Sequence, residues 1–202
     1  MLTQYKDRFR AVTESVARLF IFLRLSPNAI TLLSLALGWL TSLLFAWNRN
    51  AVLFGCLIIF WGLFDAIDGA VARLTNRVTK FGSYLDAVCD RLFEAGAALA
   101  AAYVTGYWML SFLLVIGALM ISYAKARAAM EIAIQNNEWP DFMERTERDI
   151  IFAVGIILWG IFPILILGKD IFFWTLVGLN LAVYGTLFQR ILRAKDLINS
   201  RQ

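Results

Sequence analysis

The sequence predicts an all-α integral membrane protein with six transmembrane helices and an amphipathic helix at the membrane interface near the N-terminus. Three observations support this fold class. The chain is 60% hydrophobic, with a mean hydropathy of +0.69, whereas soluble domains are about 45–50% apolar. Six apolar runs approach the roughly 20 residues that a helix needs to cross a bilayer. Basic residues cluster on alternate sides of these runs, as they do in multi-pass membrane proteins.

The first 24 residues are predicted to form the interfacial helix and a linker. Residues 3–22 mix polar and apolar side chains at helical spacing, which is typical of a helix that lies along the bilayer surface. Ser26 is then a suitable N-cap, and Pro27 a suitable first residue, for the opening transmembrane helix. We expect a single membrane domain over residues 1–202, with the six-helix bundle at 29–193.

The six predicted spans are joined by short loops, apart from one longer polar stretch at 134–147. If the N-terminus is inside, 16 of the 19 lysines and arginines fall on the cytoplasmic side, and this bias sets the orientation. We therefore expect a multi-pass protein of the plasma membrane with both termini in the cytoplasm. The spans cover roughly residues 29–48, 51–74, 81–106, 109–133, 149–168 and 170–193.

Four aspartates lie inside the second and third predicted spans, toward the cytoplasmic ends. Asp65 and Asp68 are three residues apart, and Asp86 and Asp90 are four residues apart, so each pair shares one face of its helix. A carboxylate at this depth costs several kcal/mol unless a partner compensates it. Because the connection at 74–80 is short, the two helices are predicted to be antiparallel neighbours whose acidic faces meet near the cytoplasmic surface.

Two kinds of partner can compensate these carboxylates. A lone intramembrane aspartate can pair with an arginine or lysine, whereas a converging set can bind divalent metal ions. The chain has no histidine, so a metal here should be a hard ion, Mg²⁺ or Mn²⁺. Gly69 and Gly82 let a ligand approach the backbone, and Arg73 can meet a phosphate. Each of these three residues alone also fits helix packing or anchoring at the membrane surface.

The spacing of these residues resembles the signature of the CDP-alcohol phosphotransferase family. Over residues 65–90 it takes the form Asp-x2-Asp-Gly-x2-Ala-Arg-x8-Gly-x3-Asp-x3-Asp, with every fixed position filled. The Ser-Pro-Asn-x-x-Thr opening of the first span matches as well. The resemblance implies a homodimeric enzyme that takes a CDP-linked lipid and an alcohol acceptor and releases CMP.

The resemblance also implies a role for each residue of the signature. The general base for the acceptor hydroxyl would be Asp90. Glu94 is not part of the signature, but it continues the face of Asp86 and Asp90 by one turn, so it can orient Arg91 or the metal ligands, or simply pair with Arg91 at i,i+3. Two ions, Mg²⁺ or Mn²⁺, would be held on the pyrophosphate by Asp65, Asp68, Asp86 and Asp90. Contacts to the CDP moiety would come from Asn28, Thr31, Gly69, Ala72, Arg73, Gly82 and Ser83.

A second set of residues predicts an acceptor with its own phosphate group. Lys125 lies near the end of the fourth predicted span, Arg148 at the start of the fifth and Arg190 at the end of the sixth. Cations from three helices at the same membrane level can form a phosphate-binding pocket. The positive-inside bias alone is the other explanation for such residues.

The motifs around these three cations resemble one branch of the family, the phosphatidylinositol-phosphate and archaetidylinositol-phosphate synthases. They are Ser-Tyr-x-Lys-Ala-Arg-Ala, Glu-Arg-x-Glu-Arg and Gln-Arg, with Thr146 where the branch often has proline. The resemblance implies transfer of the lipid group from CDP-diacylglycerol or CDP-archaeol to inositol phosphate, whose phosphate the three cations would bind. The alternatives are glycerol phosphate as the acceptor and, from a different class, a divalent-cation transporter. We expect no nucleic-acid partner.

Overall fold

The computed structural model of the chain describes residues 13–132 and 142–201, without the side chains of Leu63 and Asp65. This part of the chain is mostly helical, as predicted. A helical segment at 13–22 precedes six long helices, and one antiparallel two-stranded hairpin lies before the last of them. The elements are α1 Pro27–Asn48, α2 Ala51–Leu74, α3 Lys80–Thr105, α4 Trp108–Glu131, α5 Arg145–Ile161, β1 Leu165–Ile166, β2 Lys169–Asp170 and α6 Ile171–Ser200.

Four of the described helices, α1, α2, α4 and α6, are long and apolar enough to cross a membrane. The other two fall short for different reasons. Helix α3 has 26 residues but is interrupted by charged side chains, those of the signature residues Asp86 and Asp90 and of the neighbouring Arg91 and Glu94. Helix α5 has 17 residues, slightly fewer than the roughly 20 that a span needs. The count of six spans therefore stays a prediction.

The segment at 13–22 packs against the bundle through a small apolar cluster. Ala17 is fully buried there beside Ile30 of α1 and Val71 of α2. Phe22, near the end of the segment, exposes 81% of its surface. The first part of the predicted interfacial helix, residues 1–12, lies outside the described residues, so its placement at the interface stays a prediction.

The predicted fifth span, 149–168, is wrong at its C-terminal end. Helix α5 stops at Ile161 because Pro163 has no amide hydrogen and also restricts the residue before it. The chain then forms the β1–β2 hairpin. The turn residues Leu167 and Gly168 have φ values of 53° and 76°, the positive values that a tight two-residue hairpin turn needs.

The two helices that carry the signature aspartates, α2 and α3, both pack on α1 and do not pack extensively on each other. Helix α1 packs extensively against both α2 and α3, and the other main pairs are α2 with α5, α3 with α4, α4 with α6 and α5 with α6. Small residues allow these close approaches. A Cβ atom added at Gly38 of α1 would lie 2.3 Å from the Phe93 ring of α3. The direct contact expected between α2 and α3 is thus replaced by contacts through α1.

Candidate active site

The signature residues of α1, α2 and α3 surround one cavity of about 270 Å³, here called the signature cavity. It contains every residue expected to contact CDP, together with two of the four predicted metal ligands, Asp68 and Asp86. Its other lining residues include the turn between α2 and α3. The described residues that line it are Pro27, Asn28, Thr31, Asp68, Gly69, Ala72, Arg73, Arg77, Val78, Thr79, Gly82, Ser83 and Asp86.

Two capped helix starts bring the polar groups of this cavity together. The Ser26 side chain accepts a hydrogen bond from the Ala29 N–H at 3.2 Å at the start of α1. The Thr79 side chain accepts one from the Gly82 N–H at 2.9 Å at the start of α3. These caps satisfy backbone donors that helix starts leave without partners. The first turns of α1 and α3 therefore face each other across the cavity with defined geometry.

Glycines keep the cavity open. A Cβ atom added at Gly82 would lie 3.1 Å from Thr79 Oγ1 and 3.3 Å from Asn28 Oδ1. A Cβ atom added at Gly69 would lie 3.2 Å from Arg73 Nη1. All three distances are shorter than ordinary contact, so any larger residue would press on the polar groups of the wall. The space beside these glycines suits a ligand that approaches the helix backbone closely.

Thr31 of α1 supports one of the buried acids. Asp68 is only 7% exposed, and the Thr31 hydroxyl donates a hydrogen bond to its carboxylate. The Thr31 hydroxyl oxygen also lies 3.1 Å from the Pro27 carbonyl oxygen, which fixes its position on the first turn of α1. Thr31 therefore does more than belong to the start of a helix, because it contacts an acid of the site directly.

Asp90 lines a smaller cavity next to the signature cavity. Thr31 lines both cavities, and Phe93 and Arg145 are among the other residues that line the smaller one. The Asp90 carboxylate forms an ion pair with the Arg145 guanidinium. The structure therefore groups Asp68 with Asp86 and places Asp90 one cavity further on.

The donor set suits a hard divalent ion. The carboxylate residues Asp68 and Asp86 line the same cavity, and oxygen ligands are those that Mg²⁺ and Mn²⁺ prefer. Among the side chains that the structure describes, no three acidic or cysteine groups are close enough to hold one ion together. The side chain of Asp65, the fourth predicted ligand, lies outside the described residues. The acids present fit a metal at this cavity wall, and the full ligand set stays a prediction.

The three predicted phosphate ligands line a third space, here called the basic cavity, of about 980 Å³. Lys125 comes from α4, Arg148 from α5 and Arg190 from α6, as predicted. Two further arginines that the sequence did not assign to this pocket, Arg91 and Arg145, also line it. The cavity is therefore richer in cations than the sequence motifs indicated.

Buried partners hold two of these cations. Arg148 is 4% exposed, and its Nη2 lies 2.5 Å from Glu94 Oε1. Arg190 is 7% exposed and donates a hydrogen bond to the Ile121 carbonyl. A charged group buried to this degree is stable only with such partners. Both guanidinium groups thus have fixed positions at the cavity wall.

A charged network joins the acids of α3 to the arginines at the start of α5. Glu94 contacts Arg91 at 3.1 Å and Arg145 at 3.8 Å, so its predicted pairing with Arg91 is confirmed. Arg145 also lies 3.3 Å from Asp149. Sequence reasoning missed the contacts between α3 and α5. The sequence shows each half as a local pair, Asp90 with Glu94 on α3 and Arg145 with Arg148 on α5, but no spacing rule places the two pairs opposite each other.

The three cavities are neighbours that share lining residues. Thr31 lines both the signature cavity and the cavity that contains Asp90, and Arg145 lines both the latter and the basic cavity. Asp90 thus lies between two spaces that can each take an anion. This arrangement suits a reaction between two phosphate-containing ligands at a carboxylate.

The fold and site define a class of membrane transferase that acts on CDP-linked alcohols. The chain belongs to the CDP-alcohol phosphatidyltransferase family, whose model matches residues 24–185. The predicted family and enzyme class are confirmed. Membership of a transferase family also favours an enzyme over the cation transporter that intramembrane acids alone would allow.

Within this family the chain is similar to enzymes that make inositol lipids. The archaetidylinositol phosphate synthase of Pyrococcus horikoshii is 32% identical over 157 residues, which cover 77% of this chain and 81% of the relative. The phosphatidylinositol phosphate synthase of Corynebacterium glutamicum is 32% identical over 198 residues, which cover 92% and 84%.

Solved structures of the phosphatidylinositol phosphate synthase of Mycobacterium tuberculosis have the same fold. One with CDP-DAG bound matches with a TM-score of 0.78 at 26% identity, covering 91% of this chain and 94% of that chain. A second, in complex with manganese and citrate, has the same TM-score and identity and covers 90% and 88%. The match to a membrane enzyme supports the membrane-protein assignment made from the four apolar helices.

Proposed function

We propose that the chain transfers a phosphatidyl-type lipid group from a CDP-linked lipid to a hydroxyl group of inositol phosphate and releases CMP. The donor would be CDP-diacylglycerol or CDP-archaeol. One observation supports this above all. The residues expected to contact CDP line one cavity, the cations expected to bind the acceptor phosphate line another, and Asp90 lies between the two. The names of the relatives point to the same acceptor.

In this proposal the signature cavity binds the CDP end of the donor. Arg73 pairs with a phosphate, while Gly69 and Gly82 allow the nucleotide to lie against the helix backbone. Two divalent ions, Mg²⁺ or Mn²⁺, would supply charge neutralisation on the pyrophosphate when bound. Their ligands would be Asp65, Asp68, Asp86 and Asp90. A manganese complex of a relative with the same fold supports a divalent ion at such a site.

The basic cavity orients the acceptor. Lys125, Arg148 and Arg190 hold its phosphate, so that a ring hydroxyl points towards Asp90. The hydroxyl oxygen then forms a bond to the phosphorus that bears the lipid, and the bond from that phosphorus to the CMP oxygen breaks. The hydroxyl proton passes to the Asp90 carboxylate, and CMP leaves with the bonding electrons. A neutral acceptor such as serine would gain nothing from the three cations.

The orientation and the assembly of the enzyme are part of the proposal. The bias of lysine and arginine supports an active site and two termini on the cytoplasmic side of the plasma membrane. The homodimer follows from the family resemblance alone.

A panel assay tests this function. The purified full chain in detergent is incubated with each CDP-linked lipid and with inositol phosphate, glycerol phosphate or serine, with Mg²⁺ or with EDTA. We expect CMP release with inositol phosphate and Mg²⁺, little with serine, and none with EDTA. Asp90→Asn protein measures background hydrolysis of the donor. Faster CMP release with glycerol phosphate than with inositol phosphate would make glycerol phosphate the acceptor. No CMP release with any polyol phosphate would contradict the proposal that the chain is an enzyme of this kind.

A further inference from the structure

Arg145 differs from the other cations of the basic cavity in its partners. Its guanidinium pairs with Asp90, a predicted metal ligand, and also lies 3.3 Å from Asp149 and 3.8 Å from Glu94. Its side chain is 22% exposed, whereas Arg148 is almost fully buried. Arg145 is also the shared wall between the cavity of Asp90 and the basic cavity. Its guanidinium is therefore close both to Asp90 and to any anion that the basic cavity binds.

From this geometry we infer that Arg145 is a positioning residue that exchanges partners during binding. In the structure it pairs with Asp90. When a phosphate enters the basic cavity, the guanidinium turns to it and leaves the Asp90 carboxylate to the metal. The inference rests on the proposed function, because it takes Asp90 as a metal ligand and the basic cavity as the acceptor site.

Electrostatics supports this exchange. A guanidinium and a divalent ion on one carboxylate are two cations within a few ångströms, and their repulsion is strong in a partly buried site. The planar guanidinium group forms paired hydrogen bonds with phosphate as readily as with carboxylate. An anion in the basic cavity should therefore draw Arg145 away from Asp90. Metal and anion should then raise each other's affinity by the same factor, since such coupling is reciprocal.

Arg91 provides a matched control. It follows Asp90 in the sequence, lines the same basic cavity and has a similarly exposed side chain, 24% against 22%. The salt bridge recorded for it is to Glu94 at 3.1 Å. Arg91→Gln removes one positive charge next to the acids, as Arg145→Gln does, so a difference between the two variants isolates the contact with Asp90.

The test is a Mn²⁺ titration of the purified full chain followed by electron paramagnetic resonance, with no lipid substrate. Sulfate serves as the tetrahedral dianion, and chloride controls match the ionic strength. We expect Arg145→Gln to bind Mn²⁺ about tenfold more tightly than Arg91→Gln without sulfate, the effect of one charge-assisted contact. Sulfate should strengthen Mn²⁺ binding in the wild type and in Arg91→Gln, and much less in Arg145→Gln. Equal Mn²⁺ affinities for the two variants, or an unchanged sulfate effect in Arg145→Gln, would overturn the inference.

Further variants separate this inference from the proposed function. If Asp90→Asn binds Mn²⁺ as tightly as the wild type, Asp90 is not a ligand, and both the proposed metal site and the inference fail. If Asp90→Asn weakens Mn²⁺ binding but Arg145→Gln behaves like Arg91→Gln, only the inference fails. Arg145→Lys replaces the glutamine variant if that protein does not fold. Lysine keeps the positive charge but lacks the planar guanidinium group. Sulfate should therefore strengthen Mn²⁺ binding less in Arg145→Lys than in the wild type. An equal effect of sulfate in the two proteins would count against the exchange of partners.

Discussion

Replacing Gly69 by alanine should separate the stability of the fold from use of the CDP-linked donor. The added Cβ would lie 3.2 Å from Arg73 Nη1, the mobile end of a long side chain, so the helix itself tolerates it. Alanine is favoured over glycine inside a helix by about 1 kcal/mol, and we expect a slightly higher melting temperature. The same methyl group occupies ligand space and displaces Arg73. Overpacking of this kind costs about 1–3 kcal/mol, which corresponds to a loss of roughly 5- to 150-fold in kcat/KM for the donor.

The assay is CMP release at varied concentrations of the CDP-linked lipid, with thermal unfolding measured on the same preparation. Gly178→Ala is the control. Gly178 lies on α6 with no atom within 4 Å of an added Cβ, so this variant should show the gain in stability without a loss of activity. Wild-type kcat/KM for the donor in a well-folded Gly69→Ala protein would refute the assignment of this cavity to CDP. An equal loss of kcat/KM in Gly69→Ala and Gly178→Ala would show that the loss does not come from the methyl group in the signature cavity.

Three further predictions concern single side chains. Asp90→Asn should lower turnover by about 10²- to 10⁴-fold, the usual contribution of a general base, while binding of the CDP-linked lipid changes little; activity close to wild type would rule out that role. Arg190→Ala should raise KM for the phosphorylated acceptor by about tenfold or more, with KM for the donor unchanged and Arg193→Ala as the control; equal effects on both substrates would remove Arg190 from the acceptor site. Tyr107→Phe removes a hydrogen bond of 2.7 Å to Asp170 and should cost about 1 kcal/mol of stability without loss of activity. Burial, and then the bond to Asp170, raise the pKa of Tyr107 from 10.0 to about 12. The stability that this tyrosine contributes is therefore complete below pH 10 and lost towards pH 12, so unfolding curves of the wild type and Tyr107→Phe should converge over that range.

Part of the signature cavity follows from local spacing, because Gly69, Arg73 and Gly82 are close in sequence. Gly69 and Arg73 lie on one helix face, and a five-residue connection, 75–79, brings the first turn of α3 beside them. The C-terminal end of α5 was predictable in principle. Pro163 and Gly168 are both chain-breaking residues, but continuous hydropathy through 168 obscured them. Helix boundaries in apolar sequence are therefore better indicated by proline and glycine than by hydropathy.

The charged network was beyond the sequence for a different reason. Asp90 and Arg145 are far apart in the chain, and no spacing rule relates residues on different helices. Helix α5 packs mainly on α2 and α6, yet its arginine side chains reach the acids of α3. Long side chains thus connect helices that are not main packing partners, and only the three-dimensional arrangement reveals which acid each arginine meets.

Charge balance explains how so many ionisable groups can coexist inside an apolar bundle, and it predicts how ligands should bind. The acids of the signature and of the network are Asp65, Asp68, Asp86, Asp90, Glu94 and Asp149. They are equalled in number by the cations Arg73, Arg91, Lys125, Arg145, Arg148 and Arg190. In the proposed reaction, two divalent ions add about as much positive charge as a pyrophosphate and a phosphate monoester add negative charge. Metal without anions, or anions without metal, would leave a large excess of one sign in a site of low polarity. Metal affinity measured without substrates should therefore be lower than that of the loaded enzyme, and Arg145, which contacts the acids and lines the basic cavity, is placed to transmit this coupling.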